Sequence, residues 1–142
     1  MKISTRGRYG LKAMVDIAAN CKDGCVSLKT IAERNNLSES YLEQLIAPLK
    51  KAGLVKSTRG ANGGYILAKS AKDISVGDIL RVVEGPLELV ECLSENGTCG
   101  TGDCGSCITK DVWAKLSDSV TEAADNMSLY SILNGDCSEE NK

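Results

Sequence analysis

Residues 37–68 read LSESYLEQLIAPLKKAGLVKSTRGANGGYILA. The first half predicts a helix. Ser38 is placed to cap it, and Leu37, just before the cap, can pack on Leu42 as a hydrophobic staple. Leu42, Leu45, Ile46 and Leu49 recur at the three- and four-residue steps of one helical face. Gly53 suits the stop. Pro48 lies inside the pattern and removes the bond to the Gln44 carbonyl, which predicts a bend or an early weakening. The second half predicts a hairpin. Leu54-Val55 and Tyr65-Ile66-Leu67 are strand-like, and the RGANGG between them forms the turn.

Working upstream, Ser27 caps a short predicted helix running to about Arg34, with Leu28, Ile31 and Ala32 inward; Asn35-Asn36 breaks it. A short helix, a tight turn, a second capped helix and a hairpin make a winged helix-turn-helix. A longer amphipathic helix over 5–20 precedes them, with Leu11, Met14, Val15 and Ala18 as its expected stripe and Ser4 or Thr5 as its cap. Downstream, Ser75 caps a helix from Val76 to Val83, with Val76, Ile79, Leu80 and Val83 inward and Pro86 closing it. A long helix is predicted from Ile108 to about Met127. Its stripe of Val112, Leu116, Val120, Ala123 and Met127 is seam-like, with Trp113 beside it. That stripe must be covered, and a second copy of the chain is the expected cover, because two-fold protein symmetry matches palindromic DNA. A short helix over 128–133 follows, and GDCSEENK with Cys137 is expected to fray. The fold class is therefore mainly α with a small β-hairpin wing. The expected parts are a DNA-binding domain over 1–85, a cysteine-rich loop over 86–107 and a dimerisation segment over 108–142.

Charge points the same way. The whole chain is −2, yet residues 1–72 carry 13 basic and 5 acidic residues, whereas 73–142 carry 4 and 14. A basic half joined to an acidic half predicts that the first meets a polyanion. In a helix-turn-helix the second helix enters the major groove by its first turns. Ser38, Ser40, Tyr41, Glu43 and Gln44 are the residues so placed. Gln44 suits adenine; Glu43 suits a cytosine amino group and also selects by repelling phosphate. Arg59 at the wing tip is placed for a groove or a phosphate, and Arg6 and Arg8, with Lys2 and Lys12, for phosphates. RGANGG lacks the G-K-[ST] ending of a nucleotide loop, so no nucleotide site is expected. No catalytic base is evident and no apolar run is long enough for a membrane span. An enzyme, a small-molecule substrate and a membrane partner are therefore not expected.

One segment belongs to neither helix nor hairpin. Between Glu91 and Asp111 the chain reads ECLSENGTCGTGDCGSCITKD, with Cys92, Cys99, Cys104 and Cys107 among four glycines. Thiolates converging on one centre need sharp backbone bends, which glycine permits. The opening MKISTRGRYG has charge but no apolar core of a signal peptide, so a cytoplasmic, reducing setting is expected, where clustered cysteines favour metal or redox chemistry over disulfides. The spacing C-x6-C-x4-C-x2-C fits neither common zinc knuckles nor ferredoxin runs. With no histidine in the chain, iron–sulfur and zinc both stay open. Cys21 and Cys25, in CKDGC, are expected to be ordinary thiols.

From TRGRYGLKAM at 5–14 to SLYSIL at 128–133, and most specifically over LSESYLEQLIAPLKKAGLVKSTRGANGGY and the cysteine loop, the chain resembles a bacterial winged-helix repressor family. That family includes the iron–sulfur regulator IscR, the nitric-oxide sensor NsrR and the cysteine-metabolism regulator CymR. The resemblance implies a homodimer on double-stranded promoter DNA, with Ser38, Ser40, Tyr41, Glu43 and Gln44 on the recognition helix and Arg59 on the wing. It implies that Cys92, Cys99 and Cys104 hold a [2Fe–2S] or [4Fe–4S] cluster. Cys107 stands where IscR-like members have a histidine ligand, and Arg8 lies in the region where NsrR-like members use an aspartate. An IscR-like regulator is thus expected, with a cluster-free or zinc-containing repressor of the cysteine-metabolism type as the alternative.

Overall fold

Local hydrogen bonding sets where five of the described α-helices begin. In the computed structural model, which describes residues 2–90, 93 and 107–135, each starts after a serine whose hydroxyl accepts a backbone amide of the first turn. Ser4 caps α1 (Thr5–Asn20), Ser27 caps α2 (Leu28–Asn35) and Ser38 caps α3 (Glu39–Lys51). Ser75 caps α4 (Val76–Val83), where Asp78 returns a bond to the Ser75 amide. In α5 (Lys110–Asp125) the capping position, Thr109, contributes no side-chain bond to the first turn. Ser128 caps α6 (Leu129–Asn134) in a second reciprocal box with Ser131. Such a bond satisfies an amide that the helix itself leaves without a partner.

The tight turn between α2 and α3 is made by Asn36, in the left-handed conformation at φ 54°. α3 continues to Lys51 despite Pro48, so the expected early weakening is not observed; Ala52 N–H reaches the Pro48 carbonyl at 2.9 Å. The loss of one amide so near the helix end leaves most of the ladder intact. Leu42, Leu45, Ile46 and Leu49 are buried, as the spacing predicts. They join Met14, Ile17, Ile31, Ile79 and Leu129 in the core.

α1 is rotated from the expected stripe. Its buried face is Gly7, Gly10, Ala13, Met14, Ile17 and Ala18, while Leu11 and Val15 are only half-buried. The cause is α4. A Cβ at Gly10 would lie 3.2 Å from Val83 Cγ1, and one at Gly7 would collide with the Glu84 carboxylate. The glycines let the two helices approach closely, and Glu84 then accepts bonds from the Ser4 amide (2.7 Å) and hydroxyl.

The hairpin pairs β1 (Val55–Thr58) with β2 (Gly64–Leu67), antiparallel, in the register Val55↔Leu67 through Thr58↔Gly64. Its far edge is not bare. Val26 N–H donates to the Tyr65 carbonyl at 2.9 Å, and Tyr65 N–H returns a bond to Val26 at 2.8 Å. The loop between α1 and α2 thereby ties the wing to the helical body.

α5 packs a narrow face on the rest of the chain, with Ser117 and Ala124 buried. Ala124 joins Val76 and Leu80 of α4 in a second small cluster. Ser117 Oγ accepts the Leu89 amide at 3.0 Å, and Asp125 accepts Arg81 at 2.6 Å. The predicted seam is left largely uncovered: Val112, Trp113 and Leu116 are 50%, 37% and 46% exposed.

Candidate nucleic-acid interface and cysteine segment

Packing divides α3 into two faces. Its apolar stripe enters the core, so Ser40, Glu43 and Gln44 are left in solvent. Ser38 is exposed too, but its hydroxyl is already committed to the Tyr41 amide at 3.1 Å. Tyr41 is half-buried, with its ring set edge-on to Tyr9 of α1 at a centroid distance of 6.4 Å and an interplanar angle of 86°. That contact joins the first turn of α3 to the amino-terminal part of α1, where Arg6 and Arg8 are both exposed.

The wing lies beside the same helix. Burial, and secondarily the negative charge of Glu43, push the Tyr65 phenol above its ordinary range. A charge on α3 therefore reaches β2. Arg59 directly follows β1, is exposed, and precedes Gly60 at φ 112°. The sharp turn depends on the glycines. At Gly64 a Cβ would lie 2.6 Å from the Val26 carbonyl carbon and 2.9 Å from the Ser27 nitrogen. Backbone against backbone leaves no room for any other residue without moving the strand.

The first helix of the motif is held by charge as well as packing. Arg34 donates to Asp16 at 3.0 and 2.6 Å through two nitrogens, and Asn35 Nδ2 adds a bond at 3.3 Å. Asp16 is 10% exposed at its side chain and Arg34 42%. The fork orients α2 against α1, and so fixes where the turn delivers α3.

Of the predicted site residues, Ser38, Ser40, Glu43, Gln44, Arg59, Arg6 and Arg8 are exposed, and Tyr41 half-buried. Sequence reasoning passed over Tyr9, which supports Tyr41. Its signal was present in RGRYG, an aromatic interleaved with two arginines. Cys92, Cys99 and Cys104 lie outside the described residues, as does Cys137. Cys107 is half-buried, 3.2 Å from Thr109 Oγ1, just before α5. Among the described residues no three His, Cys, Asp or Glu side chains gather into a metal-binding group. Cys21 and Cys25 are half-buried thiols, with Cys25 Sγ against the Asn62 carbonyl.

Comparison with known proteins identifies this architecture. The family model described as "Rrf2: Iron-dependent Transcriptional regulator" matches residues 3–135. The chain belongs to the Rrf2 family of transcriptional regulators. It is 47% identical over 129 residues to the HTH-type transcriptional regulator CymR of Bacillus subtilis (strain 168), covering 91% of this chain and 87% of that one. It is 41% identical over 134 residues to IscR of Pectobacterium carotovorum subsp. carotovorum, covering 94% and 80%. Solved structures of two Rrf2 relatives align with it over nearly its whole length. CymR (YrzC), titled the global cysteine regulator of B. subtilis, has TM-score 0.78 at 44% identity, over 95% of this chain and 98% of that one. IscR of T. potens has TM-score 0.78 at 49% identity, over 95% and 88%. Identity thus does not favour the IscR branch over the CymR branch. The Rrf2 assignment makes the chain a DNA-binding regulator, not an enzyme. Among the described residues no helix is long and apolar enough to cross a membrane.

Proposed function

We propose that the protein is a homodimeric regulator that grips promoter DNA with α3 and the wing, and that senses iron–sulfur or redox status through its cysteine segment. The observation that carries this is an arrangement along the chain. Exposed Ser40, Glu43, Gln44 and Arg59 sit on the basic half. Four thiols in 92–107 then separate that half from α5, whose apolar stripe is uncovered. In this proposal residues 1–85 bind DNA, 86–107 hold the cofactor and 108–142 mediate dimerisation.

Gln44 pairs with adenine, and Glu43 accepts from cytosine while penalising misplaced phosphate. Arg59 enters the adjacent groove, while Arg6 and Arg8 meet the backbone, with Ser38, Ser40 and Tyr41 beside them. The donor chemistry of the cysteine segment suits a cluster: the chain has no histidine, and Cys107 lies next to the start of α5. Cys92, Cys99, Cys104 and Cys107 would hold a [2Fe–2S] or [4Fe–4S] group, which when bound supplies one-electron redox chemistry and sensitivity to oxidants. A cluster bound within 86–107 would set the angle between the DNA-binding half and α5, and so the spacing of two recognition helices. A tenfold change in affinity needs only about 1.4 kcal/mol of such coupling.

The test is iron and sulfide analysis of anaerobically purified protein, with its visible spectrum. Coloured protein with stoichiometric iron and sulfide is expected, and Cys92→Ala should lose the colour while keeping the dimer. The 47% identity to CymR favours a second reading, a cluster-free or zinc-containing repressor of the cysteine-metabolism type. Colourless protein, with stoichiometric zinc or no metal, would establish that reading instead.

A further inference from the structure

We infer that Tyr9 is a positioning residue for the recognition helix, acting through Tyr41 rather than on DNA itself. The inference rests on α3 being the DNA-reading helix. Tyr9 is the ninth residue and Tyr41 the third of α3, yet their rings meet at 6.4 Å and 86°. That edge-to-face geometry lies inside the favourable range for aromatic pairs. Lys12, one turn along α1 from Tyr9, holds its ammonium 5.4 Å from the Tyr9 ring centroid. A cation at that distance is attracted to the ring. Tyr9 is thus held by two contacts, one from Tyr41 and one from Lys12.

The position of this pair within α3 gives it its importance. The buried stripe begins at Leu42, so the core holds the helix from its fourth residue onward. Ahead of that stripe the helix is secured by Leu37 just before it, which packs on the core and donates its amide to the Ala32 carbonyl, by the Ser38 cap and by the Tyr41 ring. The cap is a bond within α3's own first turn and does not orient that turn against another element. The Tyr9 ring does, because it belongs to α1. Ser40, Glu43 and Gln44 flank Tyr41, so tilting this turn moves all three relative to base edges. Hydrogen bonds to bases tolerate only a few tenths of an ångström of misplacement.

The test is a double-mutant cycle on promoter affinity. Fluorescence anisotropy of a labelled promoter duplex is measured at several salt concentrations for wild type, Tyr9→Leu, Tyr41→Leu and the double variant, with Tyr9→Phe as the conservative control. All measurements are made well below each variant's melting temperature. Tyr9→Leu is expected to weaken specific binding about two- to tenfold, the range of one aromatic pair, with the salt slope unchanged. Tyr9→Phe should bind within twofold of wild type. In the Tyr41→Leu background the Tyr9 substitution should cost little more. Additive losses, a salt slope lowered by about one phosphate contact, or unchanged affinity in Tyr9→Leu would each overturn the proposal. Wild-type protein that retains no promoter duplex would overturn the interface reading together with it. Wild type that binds while Tyr9→Leu binds equally overturns the Tyr9 proposal alone.

Discussion

Gly64→Ala should detach the wing from the helical body. The added Cβ meets the Val26 carbonyl carbon at 2.6 Å and the Ser27 nitrogen at 2.9 Å. Carbon atoms in ordinary contact stand roughly 3.5–4.0 Å apart. Both neighbours are backbone, so no side chain can swing aside, and β2 must move away from the α1–α2 loop. The bonds given up are Val26 N–H to the Tyr65 carbonyl at 2.9 Å and Tyr65 N–H to the Val26 carbonyl at 2.8 Å. At about 0.5–1.5 kcal/mol net for each, the loss is about 1–3 kcal/mol. For a chain of this length that lowers the melting temperature by roughly 4 °C per kcal/mol. Gly60→Ala is the internal control. It has φ 112° but no heavy atom within 4 Å of the added Cβ, so it carries backbone strain of about 1 kcal/mol and leaves the bridge alone. Circular dichroism melts and amide exchange at Val26 and Tyr65 separate the two variants. If Gly64→Ala melts with Gly60→Ala and both amides stay as protected as in wild type, the bridge does not hold the wing and the reasoning is wrong.

Three further outcomes are expected. Arg59→Ala should weaken promoter binding and reduce the slope of log affinity against log salt by about one contact; an unchanged slope means that the wing tip meets no phosphate. Burial raises the Asp78 carboxyl, but bonds from the Ser75 amide and hydroxyl and from Arg81 outweigh it, so its pKa lies below the ordinary 3.8. A depressed carboxyl stabilises the fold above its unfolded pKa, and that contribution is lost as pH falls through the folded value. Asp78→Ala should therefore cost about 1 kcal/mol at neutral pH, with the gap to wild type narrowing below pH 3.8 in urea titrations; a gap constant with pH excludes the carboxylate as its source. Leu116→Asp, on the uncovered stripe of α5, should convert a sedimenting dimer to monomer and shift the emission of Trp113, the single tryptophan; a dimer that survives means that α5 is not the subunit contact.

Several elements were readable from neighbouring residues alone. Ser27, Ser38 and Ser75 start their helices because each cap bond spans only three residues. The buried stripes of α3 and α4 follow from helical periodicity, since each helix meets the core along one side. The hairpin followed from its glycine-rich turn, although the need for glycine at position 64 itself comes from Val26. The exposed candidates Ser40, Glu43 and Gln44 were legible as the polar remainder of the α3 stripe. Tyr9 showed only as an aromatic beside two arginines; its contact with Tyr41 was not legible, because Tyr41 lies in a different helix.

Sequence by itself determined the order and type of the helices, the hairpin, the division of charge and the cluster of thiols, because these depend on bonds and spacings a few residues long. Only the tertiary structure decided that α1 brings Gly7 and Gly10 against Glu84 and Val83, leaving Leu11 and Val15 half-buried, and that Val26 closes the wing. It alone put Ser117 beneath Leu89 and left Val112, Trp113 and Leu116 uncovered. The physical reason is close packing. Which face of a helix is buried depends on the shape of a partner distant along the chain, here Val83 and Glu84 against Gly10 and Gly7, and periodicity within one helix carries no information about that shape.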